Sequence, residues 1–201
     1  MPKALSPEDL AQFRDRLCDA AETLFAEHGP EAVTMRQLAL DLGVSPMTPY
    51  RYFKDKDAIL AAVRARAFNR HAEALESAFA AADPSDPVAP AAAVGEAYVR
   101  FAFQHPQAYK LMFDVRQPNE GDYPELIEAA ERSRATMTAH LQALIDAGRL
   151  KGDRDLIGHV YWAAIHGPIM LHYSGMLHGF SATQLIGELM GILNRHFFGE
   201  A

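Results

Sequence analysis

The sequence predicts an all-α fold, a three-helix head followed by a larger helical body. Three observations lead there. Helix-start signals recur, as at Ser6-Pro7-Glu8-Asp9 and Ser45-Pro46, where a capping hydroxyl precedes a proline suited to the first helical position. Apolar residues return every three to four positions over long stretches. The period-two alternation that marks strands is almost absent.

The first helix starts at the Ser6 cap, with acids at its positive end. Leu10, Phe13, Leu17, Ala21, Leu24 and Phe25 form its apolar face, and Gly29-Pro30 ends it. The second begins at Thr34, where Thr34-x-x-Gln37 reads as a capping box, and breaks at Gly43. The third follows from Ser45-Pro46 to about Arg51. A long fourth helix runs from Asp55 through Leu60, Val63, Ala67 and Leu75. The Pro/Asp-rich residues 83–90 form a loop within the body. Further helices are expected at about 90–104, 106–113, 123–147, 154–178 and 182–197. The domain boundary falls between a head, residues 8–56, and a body, residues 57–201.

The chain has 201 residues and a formal net charge of −7, which argues against indiscriminate coating of nucleic acid. The charge is uneven. Residues 1–70 balance ten basic against ten acidic side chains, so the excess acid lies C-terminal. Residues 34–56 are locally basic, with Arg36, Arg51, Lys54 and Lys56 against Asp41 and Asp55. A single cysteine, Cys18, excludes an intrachain disulfide and fits a reducing compartment. The start of the chain has no apolar stretch like a secretory signal, so a cytoplasmic location is expected. Leu156 to Gly187 lacks Asp, Glu, Lys and Arg, but four histidines, Pro168 and five glycines argue for burial in protein and against a membrane span.

The two short helices joined across Leu42-Gly43-Val44 form a helix-turn-helix pattern. Such a unit holds its second helix rigidly enough to enter a DNA major groove while neighbours grip phosphates. Pro46, Met47, Thr48 and Tyr50 are the groove candidates; Thr34, Tyr52, Lys54 and Lys56 are the phosphate candidates.

From Leu17 to Val63 the chain closely resembles the N-terminal domain of the tetracycline-repressor (TetR) family. The matching elements include Ala20-Ala21, Leu24-Phe25, Thr34-Met35-Arg36, Gly43-Val44-Ser45, Tyr50, Tyr52-Phe53, Lys56 and Leu60. The resemblance implies an all-helical homodimer, a DNA-binding head, and a body that binds a small effector and releases a repressed promoter. It places the DNA-facing surface on Thr34, Arg36, Ser45, Pro46, Met47, Thr48, Tyr50, Tyr52 and Lys56. One position departs from the family pattern: Pro49 stands where a residue such as leucine is usual. Proline there removes an N–H that would bond back to Ser45, and it disfavours the helical state for Thr48, so a shortened or bent third helix is expected. In the body, Trp162, His166 and Gly167 resemble the Trp-x-x-x-His-Gly signature of one C-terminal domain type of this family. His105 to Phe113 also looks like the short helix that precedes the long one in such domains.

An apolar ligand site in the body would draw on Phe101, Phe103, Met112, Phe113, Met137 and Trp162, with His166 beside Trp162 and Arg134 available to an anionic group. The same residues also suit an ordinary core. The histidines between 159 and 178 do not form a close set with metal-ligand spacing, so no metal and no cofactor is expected. Cys18 has acidic neighbours, which disfavour a reactive thiolate. The last helix carries two apolar rows, Leu185 with Leu189 and Ile192, and Ile186 with Met190, Leu193 and Phe197; these are expected to bury against a second copy of the chain. No phosphate loop, nucleophile elbow or catalytic metal pair is present, so an enzyme is the weaker alternative. A DNA-binding regulator gated by a protein partner, with a filled core and no ligand pocket, is the nearer one.

Overall fold

A computed structural model describes residues 6–114 and 120–198. Among the described residues the regular structure is helical: α1 (Pro7–His28), α2 (Met35–Asp41), α3 (Lys56–Ala81), α4 (Ala89–Gln104), α5 (Pro106–Phe113), α6 (Pro124–Thr136), α7 (Ala139–Asp146), α8 (Arg154–Tyr173) and α9 (Ala182–Phe198). Short 3-10 turns lie at Pro49–Arg51 and Glu120–Asp122. The chain forms two compact units, each discontinuous in sequence: Met1–Arg70 with His105–Glu131, and His71–Gln104 with Arg132–Ala201.

The first unit is built on α1. Ser6 caps it as expected: the Asp9 N–H donates to Ser6 Oγ, and the Ser6 N–H donates to the Asp9 carboxylate at 3.0 Å. The buried face of α1, Leu17, Cys18, Ala21 and Phe25, meets Val33, Met35 and Leu38, then Ile59, Leu60 and Val63 of α3. Leu111 of α5 joins the same core. Arg64 is buried, and its guanidinium donates to the Leu111 and Met112 carbonyls at 3.2 and 3.1 Å. Those carbonyls are in the last turn of α5, where helical partners run out and a cation suits the negative end. Arg66 donates to Asp19 at 2.7 Å and Arg70 donates to both oxygens of Glu22 at 2.7 and 2.9 Å, so α1 and α3 are also joined along their polar edges.

In the second unit Leu141, Leu144, Leu150 and Ile157 form a core against which Val88, Ala91, Ile145, Tyr161, Phe197 and Phe198 pack. Asp153 caps α8 by accepting from the Leu156 N–H at 2.7 Å.

Two expected helices are shorter than the apolar period suggests. The helix expected over 123–147 is interrupted between α6 and α7. The Thr136 hydroxyl donates to the Ser133 carbonyl at 2.7 Å, and the N–H groups of Met137 and Thr138 reach back three residues, to Arg134 and Ala135. A hydroxyl competing for helical carbonyls and a tightened last turn end the helix there. The helix expected over 154–178 stops at Tyr173. Gly175 adopts φ +71°, its N–H donates to the His172 carbonyl at 3.1 Å, and the Met176 N–H donates to Leu171 at 2.9 Å, a Schellman closure.

Candidate functional site

The head presents its candidate residues on α2 and on the turn that follows. Thr34 and Gln37 form a reciprocal capping box: the Gln37 N–H donates to Thr34 Oγ1 at 3.2 Å, and the Thr34 N–H donates to Gln37 Oε1 at 2.8 Å. The Thr34 hydroxyl also donates to Gln37 Oε1, so its first duty is to start α2. Arg36 is exposed in the first turn of α2. The chain leaves α2 through Gly43, at φ +65°, a left-handed conformation that glycine adopts without strain. The Val44 N–H then donates to the Ala39 carbonyl at 2.9 Å.

The third α-helix expected from Ser45-Pro46 to Arg51 is not formed. Residues 45–53 instead make a chain of tight turns: Thr48 to Ser45, Arg51 to Thr48 and Tyr52 to Pro49 all bond across three residues, with a single 3-10 turn at Pro49–Arg51. Pro46 and Pro49 lack the N–H groups that would bond four residues back, to Leu42 and Ser45, which accounts for the change of ladder. Thr48 nevertheless adopts φ −63°, ψ −47°. The expectation that Pro49 would push it out of the helical region does not hold. The Thr48 N–H bond to Ser45 at 2.8 Å and burial of the Pro49 ring hold it there.

The outer side of this turn carries Ser45, Pro46, Met47 and Tyr50, with Met47 68% and Tyr50 49% exposed. Thr48 is half-buried. Arg51, absent from the sequence-derived set although counted in the local charge, is exposed on the same turn. Lys54 is exposed, with its ammonium 3.6 Å from the Asp55 carboxylate. Two further candidates have structural partners. Tyr52 is half-buried and stacks on Phe13 of α1, with ring centroids 4.4 Å apart. Lys56 donates from Nζ to the Pro30 carbonyl at 2.6 Å, holding the turn between α1 and α2. Phe53 is buried beneath the Arg14 guanidinium, 4.4 Å from its ring.

The second unit contains a cavity of about 540 Å³. Its walls come from α4 (Ala91, Ala92, Val94, Gly95, Val99), from Met137, His140 and Leu141, from α8 (Gly158, Tyr161, Trp162, Ile165) and from α9 (Ile186, Met190, Asn194, Phe198). Small residues on α4 open the space, and Gly158 lets α8 approach Thr138 so closely that a Cβ there would collide with the threonine methyl. Tyr98 lines the cavity and anchors a polar group: the Trp162 indole N–H donates to its hydroxyl at 2.9 Å, and the hydroxyl pairs with His166 Nδ1 at 3.2 Å. Burial lowers the pKa of His166, which suits Nδ1 as the acceptor.

Of the sequence-derived ligand set, Met137 and Trp162 line the cavity and His166 stands behind Trp162. The others lie elsewhere. Phe101 is buried edge-on against His71, and Phe103 packs on His172 and Tyr173. Met112 and Phe113 belong to the first unit, where Met112 is buried and Phe113 meets Phe68 and Tyr109. Arg134 is exposed. The two rows of α9 also separate. Ile186 and Met190 line the cavity and Phe197 packs on Tyr161, whereas Leu185 and Leu193 are half-buried and Leu189 is exposed. Ile192, Leu156, Leu171, Met176 and Phe180 add to the exposed apolar surface of this unit.

Among the described residues no three histidine, cysteine or acidic side chains are grouped to hold a metal, and no helix is long and apolar enough to cross a membrane.

Comparison with known proteins agrees with this arrangement. Residues 17–63 match the family model for bacterial regulatory proteins of the tetR family, and residues 91–191 match a tetracyclin repressor-like C-terminal domain. The HTH-type transcriptional regulator BetI of Rhizobium meliloti is 30% identical over 135 residues, covering 67% of this chain. The match spans 66% of that relative, just under two thirds of its length. A solved protein of unknown function from Rhodococcus sp. RHA1 superposes with a TM-score of 0.80 at 29% identity, over 98% of this chain and 99% of the other. The TetR family transcriptional regulator PfmR of Thermus thermophilus shares the fold, with a TM-score of 0.70 at 22% identity over 90% of this chain and 98% of its own. The matched families are regulators and not enzymes. With α2 and the 3-10 turn at Pro49–Arg51 inside the matched head, and family matches over residues 17–63 and 91–191, the chain belongs to the TetR family of DNA-binding transcriptional regulators.

Proposed function

We propose that the protein is a cytoplasmic repressor that binds a pseudo-palindromic operator as a homodimer and is released by a small effector bound in the body. The observation that carries the reading is the pairing of two features in one chain. An exposed turn bears Met47 and Tyr50 among basic residues, and an apolar cavity lies in the other unit. Residues 8–56 are the DNA-binding domain and 57–201 the effector and dimerisation domain of this reading. Ser45, Pro46, Met47, Thr48 and Tyr50 face base edges. Arg36, Lys54, Thr34, Tyr52 and Lys56 serve the phosphates, the last three while also fixing the head. Exposed Leu189 and Ile192 of α9, with Leu185 and Leu193 beside them, support a two-fold helical interface. The dimer sets two turns about 34–36 Å apart on one face of the duplex. Effector binding favours the DNA-incompetent arrangement by the same factor by which it weakens operator binding.

The test is DNA binding to the promoter fragments beside its own gene at two salt concentrations. Expected are sequence-preferring binding, loss of about 1–3 kcal/mol in Tyr50→Ala, and a salt slope shallower by about one in Arg36→Ala. Equal binding to all fragments, unchanged in both variants, would refute the assignment of this surface.

A further inference from the structure

The turn after α2 lacks the groups that ordinarily read polar base edges. Residues 42–50 carry no Arg, Lys, His, Asn, Gln, Asp or Glu, so no side chain there forms the paired hydrogen bonds that pick out guanine or adenine. The backbone adds no donor from Pro46 to Pro49. Both prolines lack an N–H, the Met47 N–H points to Ser45 Oγ at 3.5 Å, and the Thr48 N–H donates to the Ser45 carbonyl at 2.8 Å. The hydroxyls of Ser45, Thr48 and Tyr50 are the polar side-chain groups left, and a hydroxyl both donates and accepts, so it discriminates little between bases.

What the turn offers outward is apolar. Met47 and the Pro46 ring beside it are both exposed, whereas Pro49 and Phe53 of the same segment are buried. An unbranched thioether adapts to the surface that it meets. In the major groove, the apolar group that distinguishes one base from the others is the thymine C5-methyl. The nearest side chains able to pair with guanine, Arg36 and Arg51, flank the stretch, one on α2 and one after Tyr50, and both are exposed.

We infer that Met47, with Pro46 beside it, reads a thymine C5-methyl in each half of the operator, so that this base pair is recognised by apolar contact and not by hydrogen bonding. This rests on the operator reading proposed above and names the base that the turn selects. Covering one methyl group gives about a fourfold preference, or about 0.8 kcal/mol. 5-Methylcytosine carries its methyl at the same ring position and satisfies the same contact.

The experiment uses the full chain and a duplex that it selects from a randomised pool about three helical turns long. Each thymine of one half-site, on either strand, is replaced in turn by deoxyuridine, which keeps the pairing and the polar edge and lacks only the methyl. At one of these thymines the parent is expected to lose about fourfold in affinity and Met47→Ala less than about 1.5-fold, with Met47→Leu close to the parent. With that thymine–adenine pair replaced by 5-methylcytosine–guanine, the parent is expected to bind about threefold tighter than with unmodified cytosine–guanine, and Met47→Ala equally to both. The salt slope is expected to be the same in all three proteins, because a base contact releases no counterions. A parent insensitive to uracil at every thymine, or a uracil penalty of equal size in Met47→Ala, overturns the methyl contact and leaves the operator reading standing. A shallower salt slope in Met47→Ala assigns the residue to the phosphates and overturns it too. A pool that yields no preferred sequence refutes the operator reading itself, and the inference with it.

Discussion

Lowering the pH from about 7.5 to about 4.5 isolates the contribution of one buried histidine in the second unit. His71 is 1% exposed. Its Nδ1 lies 2.8 Å from Ser133 Oγ, its Nε2 has no hydrogen-bond partner, and the rings of Tyr98 and Phe101 meet it edge-on at 4.9 and 5.0 Å. Burial lowers its pKa from 6.5 to about 4. A base whose folded pKa is depressed is held neutral by the fold, so between these values the unfolded chain binds more protons. Stability is then complete above the unfolded pKa and falls as the pH drops toward the folded one. Integrating between the two pH values gives a loss of about 2.5 kcal/mol, at no point steeper than about 1.4 kcal/mol per pH unit. The assay is urea unfolding across that range for the parent and for His71→Phe/Ser133→Ala, which replaces both polar partners by apolar ones. Carboxylates elsewhere titrate in both proteins and cancel in the difference. The parent is expected to lose about 2.5 kcal/mol more than the double variant over the range. Parallel stability–pH curves would refute the argument, because they would mean that His71 charges as readily in the fold as outside it.

Two smaller perturbations test the local accounts. Thr34→Ala removes the capping box of α2 and is expected to cost about 1 kcal/mol in urea unfolding, with Thr34→Ser close to the parent; equal losses would point to methyl packing in place of the hydroxyl. Gly158→Ala sets a methyl against the Thr138 methyl and is expected to destabilise by about 1–2 kcal/mol, with Thr138→Ser, which removes that methyl, restoring the loss; no rescue would place the strain elsewhere.

The parts of the fold legible in the sequence are those fixed by short-range chemistry. Ser6 with Asp9, Thr34 with Gln37, and Gly43 act within a few residues, and each stands where its residue type predicts. Pro49 was legible in part: it does prevent the third α-helix, but its effect on Thr48 is overruled by burial of the proline ring. The break at Met137 and Thr138 was hidden because apolar periodicity continues through it. What ends α6 is a hydroxyl bond and a tightened turn, which periodicity does not register. The cavity was the least legible feature. A search for large apolar side chains finds Phe101 and Met112, which are the residues best able to fill a core, and both are buried. Empty space is made by Ala91, Ala92 and Gly95, whose small size carries no pattern of its own. The same logic divides α9: an apolar row predicts burial but not what covers it, and Ile186 and Met190 turn to the chain's own cavity.

Arg64 ties the last turn of α5 to α3 across 47 and 48 residues of chain, and Leu111 completes a core begun at Leu17. A ribosome delivers the chain in order. The helix-turn-helix segment therefore leaves the exit tunnel long before the residues that close its own core, and all of α4 is synthesised in between. During that interval the face that Leu111 will cover is open to water and Arg64 lacks its acceptors. Non-local closure of this kind slows folding and exposes apolar surface to aggregation. A transcript truncated between α4 and α5 thus yields a fully translated DNA-reading element whose core lacks Leu111 and whose Arg64 lacks the Leu111 and Met112 carbonyls.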